Sequence, residues 1–176
     1  FYLDLFPRKR KYTGAAEYSI ISGKSIDIGY QKPMASLVCN FSPPSQDIPS
    51  LLLHEEVETL FHEFGHLLHE LLTTAELVSQ SGTTVAMDFV EMPSQIFENW
   101  VWNKEALNTF AKHYQTGELI PEDLLDRMIA AKNLQSGNNL LQQIFYASLD
   151  LTYFDGFVPI DYNSTTEVVK KLQKFQ

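Results

Sequence analysis

The sequence predicts a mainly α-helical protein with a small three-stranded β-sheet at its N-terminal end, an α+β fold. Three short segments before residue 45 have strand-like composition. A longer segment after residue 50 repeats apolar residues at steps of three and four, as a buried helix does. Beyond residue 103, glycines and prolines divide the chain into lengths typical of helices. With 176 residues, 44% of them hydrophobic, the chain can bury a core, and one domain is the default expectation.

The three predicted strands come first in the chain. Residues 1–6 alternate between apolar and polar side chains up to a proline, which cannot continue a sheet ladder. Residues 15–21 and 34–41 are rich in β-forming side chains, and each is followed by a Ser-Gly or Ser-Pro turn signal. We expect these strands to form a small sheet packed against the next helix, with a sheet edge available to pair with a peptide.

A long helix is predicted next, with Ser50 as its N-cap and its end near Leu72. One face is apolar: Leu53, Val57, Leu60, Phe64, Leu67 and Leu71. A narrower polar line runs opposite: Glu55, Thr59, His62, His66 and His69. Because an unpaired buried polar group costs roughly 1–3 kcal/mol, a largely buried helix must satisfy these side chains. A metal ion would satisfy them.

The centre of this helix carries the motif His62-Glu63-Phe64-Gly65-His66. Helical spacing places the two imidazoles one turn apart on one face, where both can bind the same ion. Glu63 lies one step round the helix, where it can hold a water beside the ion but is poorly placed to be a third ligand. This geometry is typical of zinc hydrolases.

A third protein ligand is needed, because catalytic zinc usually has three together with a water. Residues 73–84 have loop composition and can return the chain to the histidines. A second helix should then begin or kink near Pro93. Its candidate ligands are Asp88, Glu91, Gln95 and Glu98, which share one helical face. The spacing alone does not choose among them.

The remainder of the chain predicts a helical scaffold. One helix should span residues 104–116 and stop at Gly117, and the next should span residues 121–136 and stop at Gly137. A third should cover residues 138–153. The segment Ser164-Thr165-Thr166-Glu167 matches a capping box and should begin a last helix that ends near residue 175.

Charge and cysteine content exclude several classes of function. The net charge of -9 opposes nonspecific binding to nucleic acid or to anionic membranes, so neither is expected as a partner. The basic run Arg8-Lys9-Arg10-Lys11 is interpreted as a solvated turn. No run approaches the ~18 apolar residues of a membrane span. Cys39 is the only cysteine, which excludes an intrachain disulfide and favours a reducing, cytoplasmic location.

Several motifs together resemble one family. The run His62-Glu63-Phe64-Gly65-His66, followed by Ser81-Gly82-Thr83 and by Asp88-Phe89-Val90-Glu91-Met92-Pro93-Ser94-Gln95, closely resembles the thimet oligopeptidase and oligopeptidase A family of zinc peptidases. The resemblance implies a zincin-like catalytic core that binds one Zn²⁺ per chain. It implies that His62, His66 and Glu91 are the zinc ligands and that Glu63 is the general base. The implied activity is that of a zinc-dependent metalloendopeptidase acting on short peptides.

The resemblance also suggests how the chain is organised. Members of the family are several times longer, so residues 1–176 are expected to be a single catalytic-core fragment, weakly active or inactive in isolation. We assign residues 1–45 to the small sheet, 50–103 to the metal-binding helices and 104–176 to the helical scaffold. His69, Asp88, Gln95 and Glu98 are candidates to orient the ligands or to contact substrate. The sequence does not indicate an oligomeric state.

An alternative function is a non-catalytic helical interaction module whose metal site is vestigial or structural. Glu63 discriminates between the two, because a structural site needs no carboxylate at that position and a hydrolase does. Glu63 is present, which favours the peptidase.

Overall fold

The computed structural model describes residues 1–134, 136–155 and 165–173, which fall into two compact units, Phe1–Ile120 and Pro121–Gln176. The boundary lies inside the segment 104–176 that we assign to a helical scaffold. The fold is mainly helical with a small sheet, as predicted. The assignment of the whole chain to a single catalytic-core fragment stays a prediction.

The first unit begins with the predicted three-stranded sheet. Its strands are β1 (Tyr2–Asp4), β2 (Ala16–Ile21) and β5 (Met34–Val38). Strand β5 is central; it pairs parallel to β1 and antiparallel to β2, so β2 forms one edge of this sheet. All three predicted strands are confirmed, each one to three residues shorter at one or both ends.

A second, two-stranded sheet was not predicted. Strands β3 (Lys24–Ile26) and β4 (Gly29–Gln31) form a hairpin. Each strand has three residues, too few to show an alternating pattern in the sequence. Tertiary contacts hold the hairpin to the loop after the long helix: Ser25 N donates to Glu76 O (3.0 Å), and Tyr30 OH donates to Thr73 O (3.1 Å).

The predicted long helix is α1, His54–Leu71. The prediction of Ser50 as its N-cap is wrong, since Ser50 Oγ donates instead to Ser42 O (2.7 Å). The cap position is Leu53, whose N–H donates to Glu56 Oε2 (2.7 Å). The Glu56 carboxylate therefore satisfies an orphan donor that a serine hydroxyl was expected to satisfy.

The core of the first unit lies between β5 and α1. Its buried members are Ala35, Leu37, Cys39, Phe41 and Leu67. Burying a leucine side chain stabilises a fold by roughly 1.5–3 kcal/mol, so this cluster anchors α1 on the sheet. The apolar face predicted from the period of three and four is the face that packs here.

The basic run near the N-terminus is not simply a solvated turn. The Lys11 side chain is only 3% exposed. Its Nζ donates to Asp4 O (2.8 Å), to Phe6 O (2.8 Å) and to Cys39 O. A buried ammonium requires several oxygen partners, and the carbonyls at the ends of β1 and β5 supply them. The other three residues of the run, Arg8, Lys9 and Arg10, are exposed, as the prediction of a solvated turn requires.

The loop predicted over residues 73–84 contains one short 3-10 helix, Val78–Gln80. The second helix, α2, covers Met87–Glu98 and continues through Pro93. Because proline lacks an N–H, it removes one hydrogen bond from the helix interior. Glu91 lies in the early turns of α2, as predicted. A 3-10 helix, Asn99–Trp102, follows.

Helix α3 spans only Lys104–Phe110, so the prediction of a helix over residues 104–116 is wrong. Lys112 instead pairs with Leu119 in an isolated antiparallel bridge. His113 N donates to Glu118 O (2.8 Å), and Gly117 has φ +73° in the turn between them. Glycine adopts this conformation readily, so Gly117 closes a hairpin-like turn and not a helix.

The second unit contains α4 (Glu122–Lys132), α5 (Ser136–Phe154) and α6 (Thr165–Gln173). Three helices were predicted here, but Gly137 lies inside α5 and does not end α4, which stops at Lys132. The predicted capping residue Ser164 and the predicted end near residue 175 lie outside the described residues. In the described part of the chain, no helix combines the length and the apolar character needed to cross a membrane.

Candidate metal centre

The two histidines of the motif and one glutamate of the next helix converge on a single point. His62 and His66 lie one turn apart on α1, with ring centroids 4.9 Å apart. Their Nε2 atoms lie 3.3 and 3.2 Å from the same oxygen, Oε2 of Glu91. The three donor atoms all lie within 4.8 Å of one another. Two nitrogens and one oxygen at these distances could hold one metal ion.

Helices α1 and α2 approach closely because residue 65 is glycine. A Cβ at this position would lie 2.6 Å from Ser94 Cα and 2.8 Å from Pro93 O, which is too close for any side chain. Ser94 is fully buried where the helices meet. Gly65 therefore lets α2 lie near enough for Glu91 to reach both histidines.

Ser94 also holds the side chain of Glu91, the third candidate metal donor. Ser94 Oγ lies 2.8 Å from both the backbone O and Oε2 of Glu91. The Glu91 side chain is 51% exposed, so packing alone does not hold it. A hydrogen bond from a buried hydroxyl restricts the rotamers of a half-exposed carboxylate and keeps its oxygen near the histidines.

Glu98 holds the other ring nitrogen of His62. Its Oε1 lies 2.7 Å from His62 Nδ1. Because a carboxylate only accepts hydrogen bonds, we assign the proton to Nδ1. Nε2 then carries a lone pair that faces the carboxylate oxygen of Glu91. Two such acceptors repel each other unless a cation lies between them, so the donor set fits a metal ion.

Burial lowers the pKa of His66, and the nearby Glu91 carboxylate opposes this effect without reversing it. A lowered pKa keeps the imidazole neutral at pH 7. The neutral form is the one that can donate a lone pair to a metal. The contact between His66 and Glu91 is therefore better described as two ligands side by side than as an ion pair.

Glu63 lies between the histidines in sequence and is nearly buried, with 8% of its surface exposed. Burial raises its pKa; the adjacent His62 and a hydrogen bond from the Glu17 backbone lower it by less. A carboxyl group with a raised pKa accepts a proton more readily at neutral pH. The main chain of the edge strand β2 thus holds the Glu63 carboxylate, through the hydrogen bond from the Glu17 backbone.

A cleft of about 330 Å³ opens over these groups. Strand β2 contributes one wall, α1 the floor, and the loop before α2 together with α2 the other wall. The lining residues are Ala15, Ala16, Glu17, His62, Glu63, His66, Thr83, Val90 and Glu91. The cleft therefore places an edge strand, a carboxylate and the candidate metal ligands around one space.

The other predicted candidates lie elsewhere. His69 lines a separate cavity on α1, and its buried Nδ1 has no hydrogen-bond partner within the described residues. Asp88 and Gln95 are exposed on α2 and do not line the cleft. Of the four residues that share one face of α2, Glu91 reaches both histidines and Glu98 reaches one.

Sequence reasoning missed three residues that shape the site. Gly65 and Ser94 fix the approach of the two helices, and Glu17 enters the cleft from β2. The glycine in the centre of a long helix was a usable signal, because glycine weakens a helix by roughly 0.5–1 kcal/mol relative to alanine and so indicates a close approach. No local signal identified Ser94 or Glu17.

Glu17 makes a testable contribution to stability. Burial raises its pKa from 4.5 to about 7, with further contributions from the carboxylates of Glu70 and Glu63. Between those pH values the folded protein keeps a proton that the unfolded chain releases, so this group lowers stability as pH rises through the window. In metal-free protein, Glu17→Gln should therefore gain on the order of 1 kcal/mol relative to wild type between pH 5 and pH 8, after allowance for solvent screening of the half-buried group.

Chemical denaturation at several pH values measures this difference. Parallel stability curves for wild type and variant across the window would show that Glu17 titrates normally in the folded protein.

The geometry of this site and comparison with known proteins together indicate the class of protein. Helices carrying two histidines and a glutamate around one point, with a buried carboxylate beside them, define a candidate metal-dependent hydrolase. The chain belongs to Peptidase family M3, whose profile matches residues 1–176. The resemblance to the thimet oligopeptidase and oligopeptidase A family is thereby confirmed.

Three relatives illustrate the similarity. The chain is 44% identical over 175 residues to a thimet-like oligopeptidase of Dictyostelium discoideum, covering 98% of this chain and 26% of the relative. It is 43% identical over 176 residues to oligopeptidase A of Escherichia coli, covering 99% and 26%. It is 43% identical over 174 residues to a mitochondrial intermediate peptidase of Arabidopsis thaliana, covering 98% and 24%. The chain thus spans about a quarter of the length of these relatives.

Proposed function

We propose that this protein is a zinc-dependent metalloendopeptidase that hydrolyses peptide bonds in short peptides. The observation that carries the proposal is the convergence of His62, His66 and Glu91 on one point beside the nearly buried Glu63. Membership of a peptidase family supports the reaction class. The names of two relatives, which call them oligopeptidases, support short peptides as substrates.

His62, His66 and Glu91 would hold the zinc ion. A bound zinc ion supplies Lewis-acid polarisation of a peptide carbonyl and lowers the pKa of water at the site to about 7. Two imidazoles and one carboxylate are a donor set that zinc accepts, and a single buried cysteine cannot build a thiolate site. One ion per chain follows from the one such group of donors in the described residues.

Glu63 would act as the general base. It takes a proton from the attacking water and then passes it to the leaving amine. Its raised pKa suits this role, because the group must hold the proton between the two transfers. The hydrogen bond from the Glu17 backbone orients the carboxylate while it does so.

Strand β2 would hold the substrate main chain. It is an edge strand of the three-stranded sheet, and its residues line the cleft beside the candidate ligands. An edge strand binds an extended peptide through main-chain hydrogen bonds, which is compatible with many peptide sequences. Substrates would therefore bind in an extended conformation along β2.

We also place the protein in the cytoplasm. Cys39 is fully buried and unpaired, which is compatible with a reducing compartment. The relatives differ in this respect: one is named as a probable cytosolic oligopeptidase A, and another as chloroplastic or mitochondrial. Fractionation of the native host cells tests the location directly.

Two measurements on one sample of the full-length protein test the proposed function: zinc content after gentle dialysis, and hydrolysis of a quenched fluorescent peptide. About one equivalent of zinc, together with hydrolysis that a chelator abolishes and added zinc restores, is the expected result. Hydrolysis that survives complete removal of zinc would contradict it.

Loss of the Glu98 carboxylate should weaken zinc binding. Glu98 accepts a hydrogen bond from Nδ1 of His62, and removal of such a partner of a ligand histidine typically costs 10–100-fold in metal affinity. We expect Glu98→Ala to show a loss in that range, and Glu98→Gln a smaller one because the amide oxygen can still accept. Competition with a chromophoric chelator measures it. Asp88→Ala, which removes an exposed acid from the same helix, is the matched control and should bind zinc as wild type does.

A further inference from the structure

A second glutamate of α1, Glu70, is buried and hydrogen-bonded to two elements that line the cleft, although the proposed chemistry does not use it. Only 2% of its surface is exposed, and it lies one turn beyond His66. A buried carboxylate is costly unless hydrogen bonds satisfy it. The partners that satisfy Glu70 come from two different walls of the cleft.

The first partner belongs to the edge strand. Ser19 Oγ donates to Glu70 Oε1 at 2.9 Å. Ser19 lies two residues after Glu17, so both side chains project from the same face of β2. This hydrogen bond therefore links β2 to α1. The linked part of β2 lines the cleft and contacts Glu63 through the Glu17 backbone.

The second partner belongs to the loop before α2. The backbone N–H of Thr83 donates to Glu70 Oε2 at 3.2 Å, and Thr83 lines the opposite wall of the cleft. The neighbouring residue has to be glycine: a Cβ at Gly82 would lie 1.7 Å from Glu70 Oε2. Gly82 also has φ +55°, a conformation that glycine adopts without strain. The loop is thus fitted closely around the carboxylate.

We propose that Glu70 is a positioning residue that fixes both walls of the cleft, the β2 edge strand and residues 81–83, against the helix that carries His62 and His66. One oxygen holds each wall, so the two walls keep a constant separation across the candidate ligands. This inference rests on the proposed function, because the two walls matter only if a peptide binds between them.

Glu70 should act on the walls more than on the metal. The α2 helix that carries Glu91 is held to α1 independently, through the contact of Gly65 with Ser94. Removing the Glu70 carboxylate should therefore free Thr83 and β2 while zinc stays bound. If Glu70 only stabilised the fold, its removal would destabilise the whole first unit evenly, and Thr83 would not be affected more than other residues.

The test compares Glu70→Leu, which removes both hydrogen bonds, with Glu70→Gln, whose amide can accept from the Thr83 N–H and donate to Ser19 Oγ. In metal-free protein, exchange of the Thr83 amide hydrogen should be at least ~10-fold faster in Glu70→Leu and within ~3-fold of wild type in Glu70→Gln. Leu107→Ala, which opens the core at a buried site on α3, is the control for general destabilisation. In Leu107→Ala, amide exchange at Thr83 should not increase more than at the other amides of the first unit.

The second readout uses the zinc-loaded full-length protein at equal metal content. We expect kcat/KM for a fluorescent peptide to fall 10–100-fold in Glu70→Leu and to recover in Glu70→Gln, with zinc affinity unchanged in both. Thr83 exchange at the wild-type rate in Glu70→Leu, or unchanged kcat/KM in that variant, would overturn the inference. A wild-type chain that binds no zinc would contradict the proposed function alone, since the exchange rate of Thr83 still decides the role of Glu70.

Discussion

In the full-length protein, peptide hydrolysis should fall at least ~10²-fold in Glu63→Gln, the usual scale for loss of a general base, while about one zinc per chain stays bound. Glutamine keeps the size and most of the packing of the nearly buried side chain but cannot take a proton. The three candidate ligands are untouched, so their mutual geometry should persist. The variant thus separates proton transfer from metal binding.

Hydrolysis and zinc content must be measured on the same samples of wild type, Glu63→Gln and Glu91→Gln. The last variant should instead weaken zinc binding, because an amide is a poorer metal ligand than a carboxylate. Loss of zinc in Glu63→Gln, or undiminished turnover, would mean that the roles of the two glutamates are wrongly divided.

Much of the fold could be predicted because its elements carry local signals. The apolar period along α1 is an intrinsic property of those residues, and it identified both the helix and the face that packs on β5. The three strands of the main sheet were bounded by proline and glycine, which act locally. The hairpin β3–β4 was missed because contacts with Thr73 and Glu76, far along the chain, stabilise it.

Two local signals were misleading for the same reason. Gly117 and Gly137 were both interpreted as helix stops, but one closes a turn beyond α3 and the other lies inside α5. A glycine shows only that the backbone is unrestricted at that residue. Whether the chain uses this freedom depends on contacts that a single sequence does not display.

At the candidate site, the sequence predicted which residues should meet but not how they are held. The spacing of His62 and His66 follows from helix geometry alone. The choice between Glu91 and its three neighbours depended on how α2 lies against α1, which the contact of Gly65 with Ser94 determines. Burial of Glu63 and Glu70 depends on packing in the same way.

Removing both histidines should abolish stoichiometric zinc binding. In His62→Ala/His66→Ala, only Glu91 remains of the three donors, and one exposed carboxylate is a weak site. We expect less than ~0.1 equivalent of zinc after dialysis, against about one in wild type. Single replacements at His69 and at the exposed His113 are matched controls, since neither residue belongs to the trio, and both variants should keep their zinc.

Residual zinc in the double variant could not be attributed to the cysteine. Cys39 is fully buried, and burial together with the Glu63 carboxylate raises its thiol pKa to about 12, so the metal-binding thiolate is essentially absent at neutral pH. Loss of a folded structure is excluded separately by circular dichroism of the metal-free proteins. If the folded double variant holds as much zinc as wild type, the ion binds elsewhere. The assignment of His62, His66 and Glu91 would then be wrong, whatever the variants of Glu63 do to hydrolysis.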